Sequence, residues 1–315
     1  MLHDPVSSDD ETADDLARCF DEITEEISSV FIGRKRAVRL ALNAVLAGGH
    51  LLIEDAPGTG KTALSRALSS CLGLDFKRIQ CTNDLLPADI TGMSVFDSTS
   101  GNFVFRKGPV FSQIVLADEL NRAPSRTQSS LLQAMEEGWV TIDRDTHPLP
   151  RPFLVVATQN PREFIGTFDL PESQLDRFSL SMTIGRPEKS VQKMILGNSG
   201  KERAPDQVKI LADAEKVSAW QKRVSEVVVD HAIIGYAIDL ADRIEAEGQA
   251  MLSMRYRKQL VRLAQASALM DGREFVFPED IQNVFYPSLR HRLIGLDRNE
   301  RQALASSVIA LTNLP

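Results

Sequence analysis

The sequence predicts an α/β protein, a five-stranded parallel sheet with helices between its strands, followed by an all-helical domain. Three observations carry this reading. Four short apolar runs, Leu51–Ile53, Ile114–Ala117, Leu154–Ala157 and the more alternating Leu180–Ile184, have the length and character of strands buried on both faces, and Phe76–Gln80 is a fifth candidate. Helical segments separate several of them, which argues for a parallel sheet with right-handed crossovers. After Gly185 the strand signals stop and apolar residues return at helical spacing.

Taken in order, residues 1–15 read as an acidic, solvated tail, "MLHDPVSSDDETADD", with too little apolar content to order itself. The α/β domain then spans residues 16–185. Leu16, Phe20, Ile23 and Ile27 lie at helical spacing over 16–30, "VFIG" breaks the pattern, and a second helix runs from Arg34 to Ala47. Further helices are expected over Thr62–Leu72, Pro124–Glu137 and Glu172–Arg177. Two inserts interrupt the alternation. Met93–Asp97 and Asn102–Arg106 flank "STSG", and Trp139–Ile142 and Thr146–Leu149 flank "DRD"; both read as β-hairpins. In the helical domain, residues 186–315, Pro187–Leu196 is a short helix and Gly197–Asp206 is loop-like. Ile233 to Ile244 repeats at helical spacing. Ser253 is placed to cap a helix that ends at Gly272, and Pro278 with Asp280 starts another.

Composition narrows the function classes. The net charge of -7 opposes a nucleic-acid-coating protein, because phosphate contacts need clustered Lys and Arg. No run approaches the ~18 apolar residues of a membrane span, and the acidic start does not read as a signal peptide. Cys19, Cys71 and Cys81 form no Cys-x-x-Cys pair, so free thiols in a reducing cytoplasm are expected. The histidines show no metal-ligand spacing.

Chemistry concentrates in three places. The stretch "LLIEDAPGTGKT", Leu51–Thr62, leads from a strand into a glycine loop that ends on Gly60, Lys61 and Thr62, matching G-x-x-x-x-G-K-[ST]. Such a loop wraps phosphate oxygens with backbone N–H groups, and the helix after it points its positive end at the same anion. Lys61 would reach the β- and γ-phosphates and the Thr62 hydroxyl would ligate magnesium. Asp55 occupies the template's first glycine. Its carboxylate would lower nucleotide affinity if it faced the phosphates, and would cost little if it pointed away. Second, "QIVLADELNRAP" sets Asp118 and Glu119 just after an apolar strand. An acidic pair there is alone no more than a helix cap; after a phosphate loop it supplies a magnesium-side acid, Asp118, and a general base for water, Glu119. Third, in "LVVATQNP" a strand ends in polar residues, and Asn160 would approach Glu119 if the two strands were neighbours.

With these pieces in order the chain resembles the MoxR family of AAA+ ATPases. The resemblance is carried by "RIQCTNDLLPADITG", "GPVFSQIVLADELNRAPSRTQSSLLQAMEE", "LPRPFLVVATQNP" and "GTFDLPESQLDRFSL", with a looser match in "DGREFVFPEDI" and "LRHRL". It covers roughly residues 25–295. It implies a P-loop NTPase core, with the first hairpin as the helix-2 insert and the second as the hairpin before the first sensor, and then a helical lid. Ile32 and Gly33 of "VFIG" would meet adenine, and Ala56, Pro57, Gly58, Thr59, Gly60, Lys61, Thr62 and Ala63 would hold the phosphates. Asn160 matches the first sensor. Arg177 in "LDRF" matches the arginine finger, which reaches a neighbouring subunit; a helix-end arginine offsetting the dipole is the plainer reading. Arg255 in "MLSMRYR" matches the second sensor, expected on the lid above the nucleotide. The family's Ser-Pro-Arg is here Ser253-Met254-Arg255, which leaves Arg257 as a fallback.

The function implied is magnesium-dependent ATP hydrolysis in a homo-oligomeric, usually six-membered ring. The ring would mature or remodel other proteins together with a partner bearing a von Willebrand factor A domain. Two other classes stay open: a nucleotide-dependent assembly switch with little turnover, favoured only by Asp55, and a nucleic-acid motor, opposed by the charge.

Overall fold

The computed structural model describes residues 11–56, 58–159, 170–197 and 203–315. The strands are β1 (Leu51–Glu54), β2 (Phe76–Gln80), β3 (Gly92–Asp97), β4 (Asn102–Lys107), β5 (Ile114–Asp118), β6 (Trp139–Ile142), β7 (Asp145–Pro148), β8 (Leu154–Gln159) and β9 (Leu180–Met182). Five of them form one parallel sheet in the order β2-β5-β8-β1-β9. The order is what builds the site, because it sets the carboxyl ends of β1, β8 and β5 side by side.

Side-chain alternation along these strands feeds two cores. Leu51, Ile53, Ile114, Leu116, Leu154 and Val156 face one; Leu52, Val115, Ala117, Val155 and Ala157 face the other. On the first face lie α1 (Ala13–Val30), α2 (Lys35–Leu46) and α3 (Lys61–Cys71). On the second lie α4 (Pro87–Thr91) and α5 (Ser125–Glu137). Burial on both faces explains why these strands read as near-continuous apolar runs.

Helix α1 begins at Ala13, so residues 13–15 of the expected tail are helical; residues 1–10 lie outside the described ones. The reason is a capping box. Thr12 Oγ1 accepts the Asp15 N–H and the Asp15 carboxylate accepts the Thr12 N–H, each at 3.2 Å. Strands β3 and β4 pair as the first hairpin. In the second, β7 sits one residue earlier than expected, because Asp143 at φ 56° permits a two-residue turn that pairs Ile142 with Asp145. Helix α6 (Glu172–Leu175) is shorter than expected, and β9 ends at Met182 rather than Ile184. The second difference traces to a long-range side chain described below.

After β9 come α7 (Lys189–Gly197), α8 (Ala214–Glu226), α9 (His231–Ala246), α10 (Met254–Met270), α11 (Pro278–Leu289) and α12 (Arg298–Leu311). Ser253 caps α10 as expected, accepting the Tyr256 N–H at 3.1 Å. The apolar core does not break at residue 186. Trp220 of α8 meets Phe20 of α1 edge to face with ring centroids 5.0 Å apart, and Asn43 of α2 donates to the Leu263 carbonyl of α10 at 3.0 Å.

Candidate active site

The glycine loop follows β1. Gly58 and Gly60 take positive φ, 80° and 92°, and Pro57 lies outside the described residues. A Cβ on Gly60 would stand 2.9 Å from the Phe31 ring and 3.3 Å from Arg34 Nη1, so glycine is required there on two counts. Helix α3 starts at Lys61 with no side-chain cap, which leaves its first N–H groups available to an anion. Lys61 is buried, and its Nζ donates to the Asp55 carbonyl at 2.7 Å. Burial pulls its pKa below the usual lysine range, against the opposing pull of Asp118, Asp55 and Glu119. Thr59 donates to the Ala56 carbonyl at 3.2 Å, and Thr62 and Ala63 are half-buried in the first turn of α3. Uncapped N–H groups, an ammonium, the Thr62 hydroxyl and the Asp118 carboxylate are a donor set that suits a magnesium-bound polyphosphate.

"VFIG" lies against this loop. Arg34 donates to the Thr59 carbonyl at 3.0 Å. Half-buried Ile32 leads into Gly33, which has φ 76°, and a Cβ on Gly33 would come within 2.8 Å of Val191 in α7. A cavity of about 370 Å³ opens here, with Gly33, Arg34, Ile184, Arg186, Tyr286 and Arg290 in its walls.

Asp55 does not leave its carboxylate free. One oxygen accepts the N–H groups of Ile184 and Gly185 at 2.9 and 2.6 Å, and the other accepts the Ala56 N–H at 2.9 Å. Ile184 thus leaves the β9 ladder, which is why the strand stops early. The adjacent Glu54 receives Arg290 Nη2 at 3.0 Å.

The acidic pair ends β5. Thr158 of β8 orients both members: its hydroxyl donates to Asp118 Oδ1 at 2.7 Å and accepts the Glu119 N–H at 2.8 Å. Glu119 is held in the left-handed region, φ 57° and ψ 47°, a strained setting for a residue with a side chain. From β2, Arg78 donates to Asp118 Oδ2 at 2.6 Å and Gln80 to Glu119 Oε2 at 3.4 Å; Arg122 also reaches Glu119 at 3.1 Å. Sequence reasoning missed Thr158, Arg78 and Gln80. Their signal was available as polar residues inside two strand runs. Asn160 lies outside the described residues.

The two arginines lie elsewhere. Arg177 Nε is 2.9 Å from Glu136 Oε2, and Arg255 pairs with the other oxygen of Glu136. Both line a cavity of about 400 Å³ with Gly48, Gly49 and His50. Those three residues enter β1, whereas the phosphate loop leaves it. A four-residue strand puts the two ends about 13 Å apart. The expectation that Arg255 closes over its own subunit's loop is therefore corrected: α10 starts at the amino edge of the sheet, beside Arg177. Arg257 is no substitute, being paired with Asp242 and Glu245 of α9 at 2.8 and 3.2 Å.

Comparison with known proteins follows the same lines. Residues 50–180 match the model of the ATPase family associated with various cellular activities, and residues 241–309 match the AAA lid domain. The chain is 40% identical to YeaC of Bacillus subtilis, covering 89% of this chain and 88% of that protein. It is 34% identical to Chaperone MoxR1 of Mycobacterium tuberculosis, covering 85% and 74%. A crystal structure of a Cytophaga hutchinsonii protein superposes with a TM-score of 0.86 at 34% identity, covering 96% of this chain and 97% of that one. With its sheet order, phosphate loop and helical lid, the chain belongs to the MoxR family of AAA+ ATPases.

Proposed function

We propose that the chain hydrolyses ATP in a homo-oligomeric ring, hexameric by the resemblance, in which each site is completed by a neighbour. One observation carries this reading: the phosphate loop and acidic pair stand on one edge of the sheet and both candidate arginines on the other. No single subunit brings the two sets together, whereas neighbours packed edge to edge would.

In this reading the loop N–H groups from Gly58 to Ala63 and the Lys61 ammonium bind the triphosphate, Ala56 and Pro57 shape the turn that presents them, and Ile32 and Gly33 flank the base. Thr62 and Asp118 would hold magnesium, which neutralises charge on the phosphate oxygens when bound. Glu119 takes a proton from the attacking water, and Asn160 orients that water or the γ-phosphate. Arg177 and Arg255 of the neighbour meet the charge that develops on the transferred group. A finger of this kind contributes on the order of 10³–10⁵ in rate.

The work driven is the maturation or remodelling of a protein client, with a von Willebrand factor A domain partner. Support for this role comes from the family and from the chaperone name of a relative. The setting proposed is cytoplasmic, as the free thiols Cys19, Cys71 and Cys81 would suit; among the described residues no helix is long and apolar enough to cross a membrane. The competing assembly-switch reading rested on Asp55, whose carboxylate is engaged by three backbone N–H groups.

The test is steady-state ATP hydrolysis against protein concentration for the parent and Glu119→Gln, with mass measured on the same samples. Specific activity should rise with assembly, and the variant should assemble without turnover. Parental turnover by Glu119→Gln would remove the base assignment. Assembly of the parent with ATP but without hydrolysis would favour the switch.

A further inference from the structure

The segment after α11 touches both edges of the sheet. Arg290 reaches Glu54, the residue before Asp55, at the carboxyl end of β1. Two residues on, Arg292 reaches the turn that carries Arg177, at the amino end of β9. Its Nε donates to Asp176 Oδ1 at 3.0 Å. Its Nη2 donates to the carbonyls of Asp176 and Phe178 at 3.1 and 3.0 Å, one on each side of Arg177, and to Gln259 Oε1 at 3.0 Å. Its Nη1 faces the Ser288 carbonyl and His291 Nε2. The other Asp176 oxygen accepts the Ser253 hydroxyl at 2.7 Å.

All three nitrogens of this guanidinium are engaged, and its side chain is only 6% exposed. The Arg177 and Phe178 N–H groups turn back to the Gln174 and Leu175 carbonyls at 3.3 and 3.0 Å, a tight turn that ends α6, and Arg292 takes the carbonyls of Asp176 and Phe178 that this turn leaves free. Bracketing a residue by both flanking carbonyls and the preceding carboxylate needs a planar fork; a lysine ammonium offers the charge without that geometry. Among the described residues Arg177 is tied through its side chain only to Glu136. Its backbone position is therefore set from the helical lid.

We propose that Arg292 is a positioning residue for Arg177, and that the Arg290–Arg292 segment links this finger to the phosphate-loop edge of the same subunit through Glu54. The proposal rests on the bipartite-site reading above. It gives one lid segment a hold on both the loop edge and the finger, so a shift of Glu54 beside the loop displaces the finger offered to the next subunit.

The test uses full-length chains in mixed assemblies. Lys61→Ala subunits supply only a finger and Arg177→Ala subunits supply only a loop, so their mixture should regain turnover. Arg292→Lys placed in the finger-supplying subunit should lower that turnover about tenfold or more, and placed in the loop-supplying subunit should leave it within about twofold. Asp176→Asn should repeat the asymmetry should Arg292→Lys not fold, with circular dichroism and assembly mass confirming intact subunits. Glu54→Gln in the finger-supplying subunit should lower turnover as well. Equal loss in both placements makes Arg292 a general structural residue and overturns the proposal, as does no loss in either. Undiminished turnover with Glu54→Gln overturns the link to the loop edge alone. A plain mixture that regains nothing sinks the bipartite reading itself, and this proposal with it.

Discussion

The Asp55 carboxylate accepts the Gly185 backbone N–H at 2.6 Å, joining the start of the phosphate loop to the chain leaving β9. At this position the loop template has glycine, and the bond shows what the larger side chain does there. It ties down the segment through which the core continues into α7. Replacing Asp55 by glycine should remove bonds to the Ala56, Ile184 and Gly185 amides. Hydrogen bonds to a charged group contribute about 1.5–3 kcal/mol each, reduced here by partial exposure, so a loss of about 2 kcal/mol and a lower unfolding temperature are expected. ADP affinity, by titration, should stay within about threefold. An affinity gain of about tenfold, ~1.4 kcal/mol, would mean that the carboxylate opposes the phosphates after all.

Magnesium should meet a competitor at Asp118. The Arg78 guanidinium stands 2.6 Å from Asp118 Oδ2 and must release it for a cation to bind there. Arg78 is 48% exposed, so the pair is screened and worth at most about 1 kcal/mol. Arg78→Met should therefore lower the magnesium concentration for half-maximal ATPase activity by about two- to fivefold. A higher requirement would show that Arg78 assists the metal site instead.

Acid should loosen the packing around His50, beneath the arginine pair. His50 accepts the Val155 N–H at Nδ1 and faces the Met135 carbonyl through Nε2, at 3.0 and 3.1 Å, so it is neutral with the proton on Nε2. Burial pushes its pKa down from 6.5 to about 4. Burial and the neighbouring arginines push His291 down as well. The unfolded chain then binds more protons than the fold between these values. Stability is complete above about pH 6.5 and falls as the pH drops toward 4. His50 alone accounts for about 2 kcal/mol by pH 5. Urea unfolding at pH 7.5 and 5.0 measures it, and His50→Gln should reduce the difference by about that amount, leaving the share of His291. A parental difference under about 0.5 kcal/mol would contradict a neutral buried His50.

What could be read in the sequence divides along a physical line. The sheet, the loop and the acidic pair were legible because each is written in contiguous residues: an apolar run, a glycine turn, a polar exit. The capping of α10 by Ser253 was legible for the same reason. The partners of those residues were not. Arg78 meets Asp118, Thr158 spans the acidic pair and Arg292 brackets Arg177 only because the strand order and the lid bring distant segments together. Helices α8 and α12 lie within the region the sequence marks as helical, but their bounds are not legible there although Asp213 and Asp297 cap them, since their apolar stripes are thin: Val217, Trp220 and Val224 in one, Ala305 and Val308 in the other. The side of the sheet on which Arg255 lies was beyond local reading altogether. A motif names a residue type on a lid helix, whereas the packing of α10 on α1 and α2 decides which edge that helix starts from.

That edge gives the most discriminating prediction. Arg255 and Arg177 share Glu136, so whatever faces one faces the other. If Arg177 serves the neighbour, Arg255 does too. Arg255→Ala should then behave as a donor defect: it keeps a working loop and offers a poor partner edge. Mixed with Lys61→Ala subunits, which have a dead loop and an intact donor edge, it should regain turnover. Mixed with Arg177→Ala subunits it should regain nothing, because both lack the same edge. A second sensor acting on its own subunit's nucleotide gives the opposite pattern, since Arg177→Ala would supply the sound loop and Arg255→Ala the sound finger. Nucleotide binding separates the cases again. In dilute, unassembled protein, ADP affinity should be unchanged by Arg255→Ala and lost in Lys61→Ala. A weakened affinity in the isolated Arg255→Ala subunit would return this arginine to its own nucleotide.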